Sequence, residues 1–207
     1  MASVTGPLMS FDASGTVAGS VVFSRWKGRN YVRRHAIPSN PQSGKQRSVR
    51  AMLKFLAQQW AGLSAPDKAT WEAIADSAKI SPFNAYVAGN QDRWFTFRTP
   101  TKATPPAGTS TPADAPTVVA TGTKGMITLT ITDGVQAPDW GWIIFRRLGG
   151  APSMTWDEVT MVAPYSASPS TIIDSPLAPG TWHYRLYGFN TDGVSGSVSA
   201  DASDAVT

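Results

Sequence analysis

The 207-residue chain contains no cysteine. Disulfides, thiolate zinc sites and a cysteine nucleophile are therefore excluded, while the redox compartment is left open. Histidine is almost absent: His35 and His183 are the two present. A metal site needs several converging ligands, and neither histidine has an acid or a second histidine at helical or strand spacing, so no metal is expected. Glutamate is equally scarce, with Glu72 and Glu158 alone. Paired-carboxylate chemistry would have to draw on scattered aspartates. Most of these, such as Asp133-Gly134 and Asp192-Gly193, occur as turn signals, where the side chain normally bonds the backbone. No Gly-x-Ser-x-Gly, Walker or dinucleotide glycine pattern occurs, although a Ser-His-Asp arrangement is not decided by sequence. No run of eighteen apolar residues exists, so no transmembrane helix is expected. Met1–Ser10 is neither basic nor long in apolar residues and is not expected to act as a secretory signal. The chain is expected to be non-enzymatic and to need no cofactor.

What is present is a core-forming composition, 42% hydrophobic, and an uneven charge distribution. Up to Lys102 there are fourteen Lys/Arg and five acids, a net +9; from Ala103 onward there are four and nine, a net −5. Such a split implies two regions with different surroundings, the basic one drawn to nucleic acid or to an acidic protein. A solvated basic face with no partner is the plain alternative.

Residues 1–14 have no clear period and read as an extended arm. Val17–Arg25 and Asn30–Arg34 are β-rich runs around Trp26-Lys27-Gly28-Arg29, which predicts a hairpin. Alternation would turn Tyr31 and Arg33 to one face and Val32 and Arg34 to the other. The period then changes to 3.6. Val49, Met52, Leu53, Leu56, Trp60 and Leu63 form one stripe. Ser64-Ala-Pro-Asp67 reads as a capping box and Ser81-Pro82 as a second helix start. Three helices are predicted, at about 43–62, 65–78 and 82–95, with Trp60, Trp71 and Trp94 in a shared core.

Several strings carry a resemblance: Gly15-Thr-Val-Ala-Gly19, Phe23–Arg33, Pro38-Ser-Asn-Pro41, Gln46–Arg50, and Trp60…Trp71…Ala75 through Phe83-Asn-Ala-Tyr-Val87 and Asn90. Over roughly residues 14–95 the chain resembles small structural proteins of tailed phages and prophages, which implies a virion component without saying which. The helical part also loosely resembles an HMG box, through Trp60-Ala-Gly-Leu-Ser…Trp71…Ala75. That likeness implies minor-groove DNA bending, but the preceding hairpin and the short, less basic helices depart from it.

Thr99–Pro116 is rich in Pro, Thr and Ala without periodicity, and predicts an extended, semi-rigid linker. After it come seven short strand-like runs: 117–121, 125–132, 140–147, 158–162, 170–174, 181–190 and 194–199. This is the pattern of a β-sandwich. The region resembles a fibronectin type III domain at Pro116, at Thr171–Asp174 before Leu177-Ala-Pro-Gly180, and at Trp182–Asn190 running into Asp192-Gly-Val-Ser195. Trp182 stands where that family has its corner tyrosine, so the resemblance leaves the corner hydrogen bond open. Trp182, Tyr184 and Leu186 would point inward and His183, Arg185 and Tyr187 outward, with Trp140 or Trp142 as the central aromatic.

The expected fold class is thus α+β in two parts. Residues 1–98 form a basic hairpin-plus-helices docking domain, 99–115 the linker, and 116–207 an Ig- or fibronectin-type sandwich. The candidate docking residues are Arg25, Trp26, Lys27, Arg29, Tyr31, Arg33 and Arg34, since Trp, Tyr and Arg anchor protein interfaces and equally serve nucleic acid by stacking and phosphate contact. An ordinary exposed hairpin is the bland reading. The expected function is a non-enzymatic structural component of a tailed-phage virion, first a capsid decoration protein, otherwise a tail or head–tail connector (neck) protein. A DNA-binding module is the alternative of another class. The expected partners are other virion proteins, with a weak glycan or cell-surface contact by the sandwich, and the protein is expected to be oligomeric in the assembly. Nucleic acid is the less favoured partner and no membrane is expected. The location would be the virion, assembled in the bacterial cytoplasm.

Overall fold

The computed structural model describes residues 3–4, 13–17, 19–26, 29–37, 39–40 and 42–207. The chain divides into two compact units, Met1–Pro41 and Gln42–Thr207.

The first unit is a four-stranded antiparallel sheet in the order β1 (Ser3–Val4), β2 (Ala13–Val17), β3 (Val21–Trp26), β4 (Arg29–Arg34). The predicted hairpin is present, with Trp26 opposite Arg29 and Val21 opposite Arg34. Part of the stretch expected as an extended arm is strand instead: β1 and β2 pair through Ser3 with Ser14 and Val4 with Ala13.

The second unit opens with three helices, α1 (Gly44–Trp60), α2 (Ala65–Ala78) and α3 (Pro82–Phe95). Each starts at a serine whose hydroxyl accepts an amide three residues on: Ser43 from Gln46, Ser64 from Asp67 and Ser81 from Asn84. These caps satisfy amides that a helix start leaves unbonded. At Ser64 the predicted cap is present, and the Ser64 hydroxyl in turn donates to the Asp67 carboxylate at 2.7 Å, a side-chain bond in place of the reciprocal backbone bond of a capping box. Helices α2 and α3 approach so closely that a Cβ at Gly89 would lie 2.7 Å from the Trp71 ring.

Eight strands follow: β5 (Thr117–Thr123), β6 (Met126–Thr132), β7 (Gly141–Leu148), β8 (Val159–Pro164), β9 (Ser170–Asp174), β10 (Gly180–Phe189), β11 (Ser195–Val198) and β12 (Ala202–Val206). They form two antiparallel sheets, β5-β6-β9 and β11-β10-β7-β8, with β12 also paired to β10. Strand β12 was not expected. Its Ala-Ser-Asp-Ala-Val sequence has little β preference, and it continues the edge begun by β11 after a break at residues 199–201.

The sheets enclose one core containing Ile127, Leu129 and Ile131 from one side and Trp142, Ile144, Tyr184 and Leu186 from the other. The outer face of the five-stranded sheet carries a second core. There Ile143, Phe145, Tyr187 and Phe189 meet Met52, Phe55 and Leu56 of α1, Trp71 of α2, and Tyr86 and Trp94 of α3. Phe55 lies edge-on to Trp140 and Phe189, with ring centroids 5.3 and 5.4 Å away. Of the predicted α1 stripe, Met52, Leu56 and Leu63 are buried and Leu53 is 43% exposed, while Phe55, off that stripe, is fully buried. Trp71 and Trp94 join this core as expected, whereas Trp60 is half-buried at its margin.

The expected boundary at residue 98 is therefore not where the chain divides. The helices belong to the same unit as the sandwich and share a core with it. Tyr187, expected to face solvent, faces away from the inner core but is covered by the helical layer.

The expected linker is also corrected. Thr99, Thr101 and Ala113 are buried. The side chain of Asn90, itself buried, accepts the Thr101 amide at 2.7 Å and donates to the carbonyls of Thr101 and Tyr86 at 3.1 Å. The Trp71 indole donates to the Lys102 carbonyl at 2.7 Å, and the Ala113 carbonyl accepts the Ser197 amide at 2.8 Å. A Pro/Thr-rich stretch has no period of its own, but its backbone is bonded at several points to the helices and the sandwich.

If helices and sandwich share one core, Phe55→Ala should destabilise both together. Urea denaturation should show a single transition for Gln42–Thr207, weakened by about 3–5 kcal/mol, the usual cost of emptying a buried phenylalanine site. A helical signal lost ahead of the β signal would contradict this.

Candidate docking surface

The expected docking residues lie in the first unit. Lys27 lies outside the described residues, as do the side chains of Trp26 and Arg29, whose backbones pair at the end of the hairpin. Arg25, Tyr31, Arg33 and Arg34 are exposed. The register divides them. Tyr31 and Arg33 share a face with Ser24 and Val22, while Arg25, Val32 and Arg34 share the other with Phe23. Apolar area is exposed on both faces, Tyr31 at 41% and Val32 at 61%. What these residues have in common is strand β4 or its neighbour, at one edge of the sheet.

The division at Pro41 also redraws the charge map. Met1–Pro41 has five Lys/Arg against Asp12 alone, a net +4, while Gln42–Thr207 has thirteen of each sign and is neutral. The basic residues of the helices, counted with the hairpin in the sequence reading, are balanced by acids of the unit they belong to.

Two concavities of the second unit stand out. One, of about 310 Å³, is lined by Asp67, Lys102, Pro105 and Asp192. Its carboxylates are engaged: Asp67 with Ser64, and Asp192 with the amides of Thr109 and Ser110 at 2.7 Å and the Ser110 hydroxyl at 2.7 Å. Burial works against the charged form of Asp192, but these hydrogen bonds outweigh it and hold its pKa below the ordinary aspartate range. The other concavity, about 280 Å³, lies between Lys45, Gln46, Val49, Arg50 and Trp156, with the Lys45 ammonium 6.0 Å from the Trp156 ring centre.

The remaining ionisable clusters bridge structural elements. Arg146 on β7 grips Asp174 on β9 through bonds of 2.8 and 2.6 Å, and Tyr184 on β10 donates to the same carboxylate at 2.9 Å. The cluster ties the two sheets together, and burial followed by the Asp174 charge pushes the Tyr184 phenol well up. His183 acquires a carboxylate that sequence spacing does not reveal: Asp201, from the break between β11 and β12, approaches its Nδ1 at 2.7 Å. Among the described residues no group of three His, Asp or Glu converges as metal ligands, and no helix is long and apolar enough to cross a membrane.

Sequence reasoning missed Asn90, Asp192 and Asn190 as organisers of residues 99–115. The one signal available was the Asn-Thr-Asp-Gly turn at 190–193, read there as a turn alone.

No family model matches the sequence, and no curated protein matches it. Among solved structures, a β-1,2-glucanase from Parabacteroides distasonis aligns at TM-score 0.38 and 14% identity, over 49% of this chain and 13% of the glucanase. The fibronectin type-III domain of human fibronectin type III domain containing protein 3 aligns at TM-score 0.34 and 9% identity, over 48% of this chain and 91% of that domain. This chain thus matches only a small part of the glucanase, and neither likeness is close enough to carry function across.

Because the depressed pKa of Asp192 arises in the folded state, its contribution is complete above the unfolded aspartate value and fades as pH falls through the folded one. Acidification should move the amide resonances of Thr109 and Ser110 upfield as their bonds to the carboxylate weaken. Asp192→Asn should remove that acid-range titration, and resonances that titrate unchanged in the variant would disprove the assignment.

Proposed function

We propose that this protein is a non-enzymatic structural component of a tailed-phage virion. In this reading Met1–Pro41 docks onto the particle and Gln42–Thr207 is the displayed body. The observation that carries the reading is the separation of charge. The whole net +4 belongs to the small sheet, together with its exposed Tyr31, Val32, Arg33 and Arg34, while the larger unit is neutral. A charged, partly apolar small element joined to a neutral, well-packed one suits attachment by the first and presentation by the second. The resemblance of residues 14–95 to tailed-phage structural proteins supplies the setting.

The body is read as a fibronectin type III or Ig-like sandwich with a helical layer added. Three features support this: the three-stranded sheet β5-β6-β9, the order β11-β10-β7-β8 in its partner, and the Trp182 indole donating to the Ala178 carbonyl at 2.9 Å. That bond runs back to backbone four residues upstream, as a corner tyrosine's does, so tryptophan takes over the task. Within the virion, capsid decoration is the reading preferred here.

Antibodies against Gln42–Thr207, used for immunogold labelling of purified particles from the producing host, are expected to decorate the head surface. Labelling of the tail or neck would transfer the protein to that part. Its absence from gradient-purified particles, checked by mass spectrometry, would rule out the virion reading.

A further inference from the structure

We infer that the free edge of β4 takes up an extended, acidic segment of a partner protein as an added strand. The inference rests on the docking reading of Met1–Pro41 and supplies its mode and the chemistry of its partner.

Strand β4 ends the sheet order β1-β2-β3-β4, and among the described residues no strand pairs with its other side. The register fixes which backbone groups face that side. The ladder from Trp26–Arg29 to Val21–Arg34 has no shift and continues to Ser20 and His35, where the His35 amide donates to the Ser20 carbonyl at 2.7 Å. Antiparallel pairs alternate between bonded and non-bonded. With His35 bonded inward, Arg33 and Tyr31 are bonded inward too, and Asn30, Val32 and Arg34 direct their N–H and C=O groups to the open edge. Three donors and three acceptors at alternate residues form a template for strand addition.

The side chains along this edge choose the partner. Arg33 and Arg34 are exposed on opposite faces, and Arg25, opposite Asn30 on β3, is exposed on the Arg34 face nearer the turn. Cations on an edge oppose pairing with a like-charged strand, so a second copy of this +4 unit is disfavoured. The same cations favour a strand bearing carboxylates on both faces. Val32 and Tyr31, also on opposite faces, offer each side an apolar cross-strand partner. The segment that fits alternates acidic and β-branched or aromatic residues.

The test uses the full chain and fluorescent synthetic peptides of equal length, one rich in alternating Glu and Val and one with Lys in place of Glu, with a single-stranded oligonucleotide as third probe. Fluorescence anisotropy should show the Glu peptide binding, weakening as salt rises, and the Lys peptide binding more weakly. Val32→Pro removes an outward N–H while keeping the inward ladder. It should weaken the Glu peptide by about tenfold, as loss of edge hydrogen bonds implies, whereas Val32→Ala retains most of the affinity. Arg33→Glu with Arg34→Glu should reverse the peptide preference, a gain of binding that misfolding would not give. Failure of the Glu peptide to bind, equal binding by Val32→Pro, or an oligonucleotide bound at least as tightly and indifferent to Val32→Pro would each overturn the inference. The two readings separate in particles. Binding of the Glu peptide as described with no protein in purified virions removes the virion reading alone, and full incorporation of Val32→Pro removes strand addition alone.

Discussion

The packing of Phe55 against Trp140 and Phe189 is the contact on which the larger unit depends. Strand β7 reads Gly-Trp-Ile-Ile-Phe and is buried along both faces, with Trp142 and Ile144 turned to the other sheet and Ile143 and Phe145 turned to the helices. Strand β10 is divided in the same way. A sandwich whose outer face carries Ile143, Phe145, Tyr187 and Phe189 would leave a large apolar patch in water. The helices cover it, and short helices in turn need such a surface to be stable. Neither layer is complete without the other.

That mutual covering dictates the path of residues 99–115. The chain must leave the end of α3 and reach the start of β5 across the surface of a unit already assembled, and buried backbone groups must find partners on the way. Asn90 supplies them at Thr101, Trp71 at Lys102, Asp192 at Thr109 and Ser110, and Asn190 at Thr111, whose carbonyl it binds at 2.8 Å. Segment and turn 190–194 thus hold each other, which makes the connection a structural part of the unit.

The first unit is built on a different principle. It is small, carries all of the net charge, and exposes apolar residues on both faces of one sheet. Such a sheet has little core of its own. The neutrality of Gln42–Thr207 sharpens this contrast.

Much was legible in the sequence. The helix limits, the caps at Ser64 and Ser81 and most of the sandwich strands follow from local signals: a hydroxyl three residues before an amide, proline at a helix start, alternation of apolar residues. The hairpin register and the two-faced placement of Tyr31, Arg33, Val32 and Arg34 follow from the same alternation. The role of Phe55 was not legible. It lies off the six-residue stripe, on the side of α1 that meets Trp140 and Phe189. The unbroken apolar run Trp140–Phe145 was the available clue, since a strand buried on both faces loses its alternation. Residues 99–115 could not be read either, because proline, threonine and alanine carry no period and their order comes from side chains distant in sequence. The sequence by itself determined the helices, the hairpin and most of the sandwich strands, the absence of thiol chemistry and the basic character of the N-terminal region. Tertiary structure alone decided that the helices belong to the sandwich, that the charge divides at Pro41, and that β4 is an edge. Each of these depends on which surfaces meet, and local composition does not encode that.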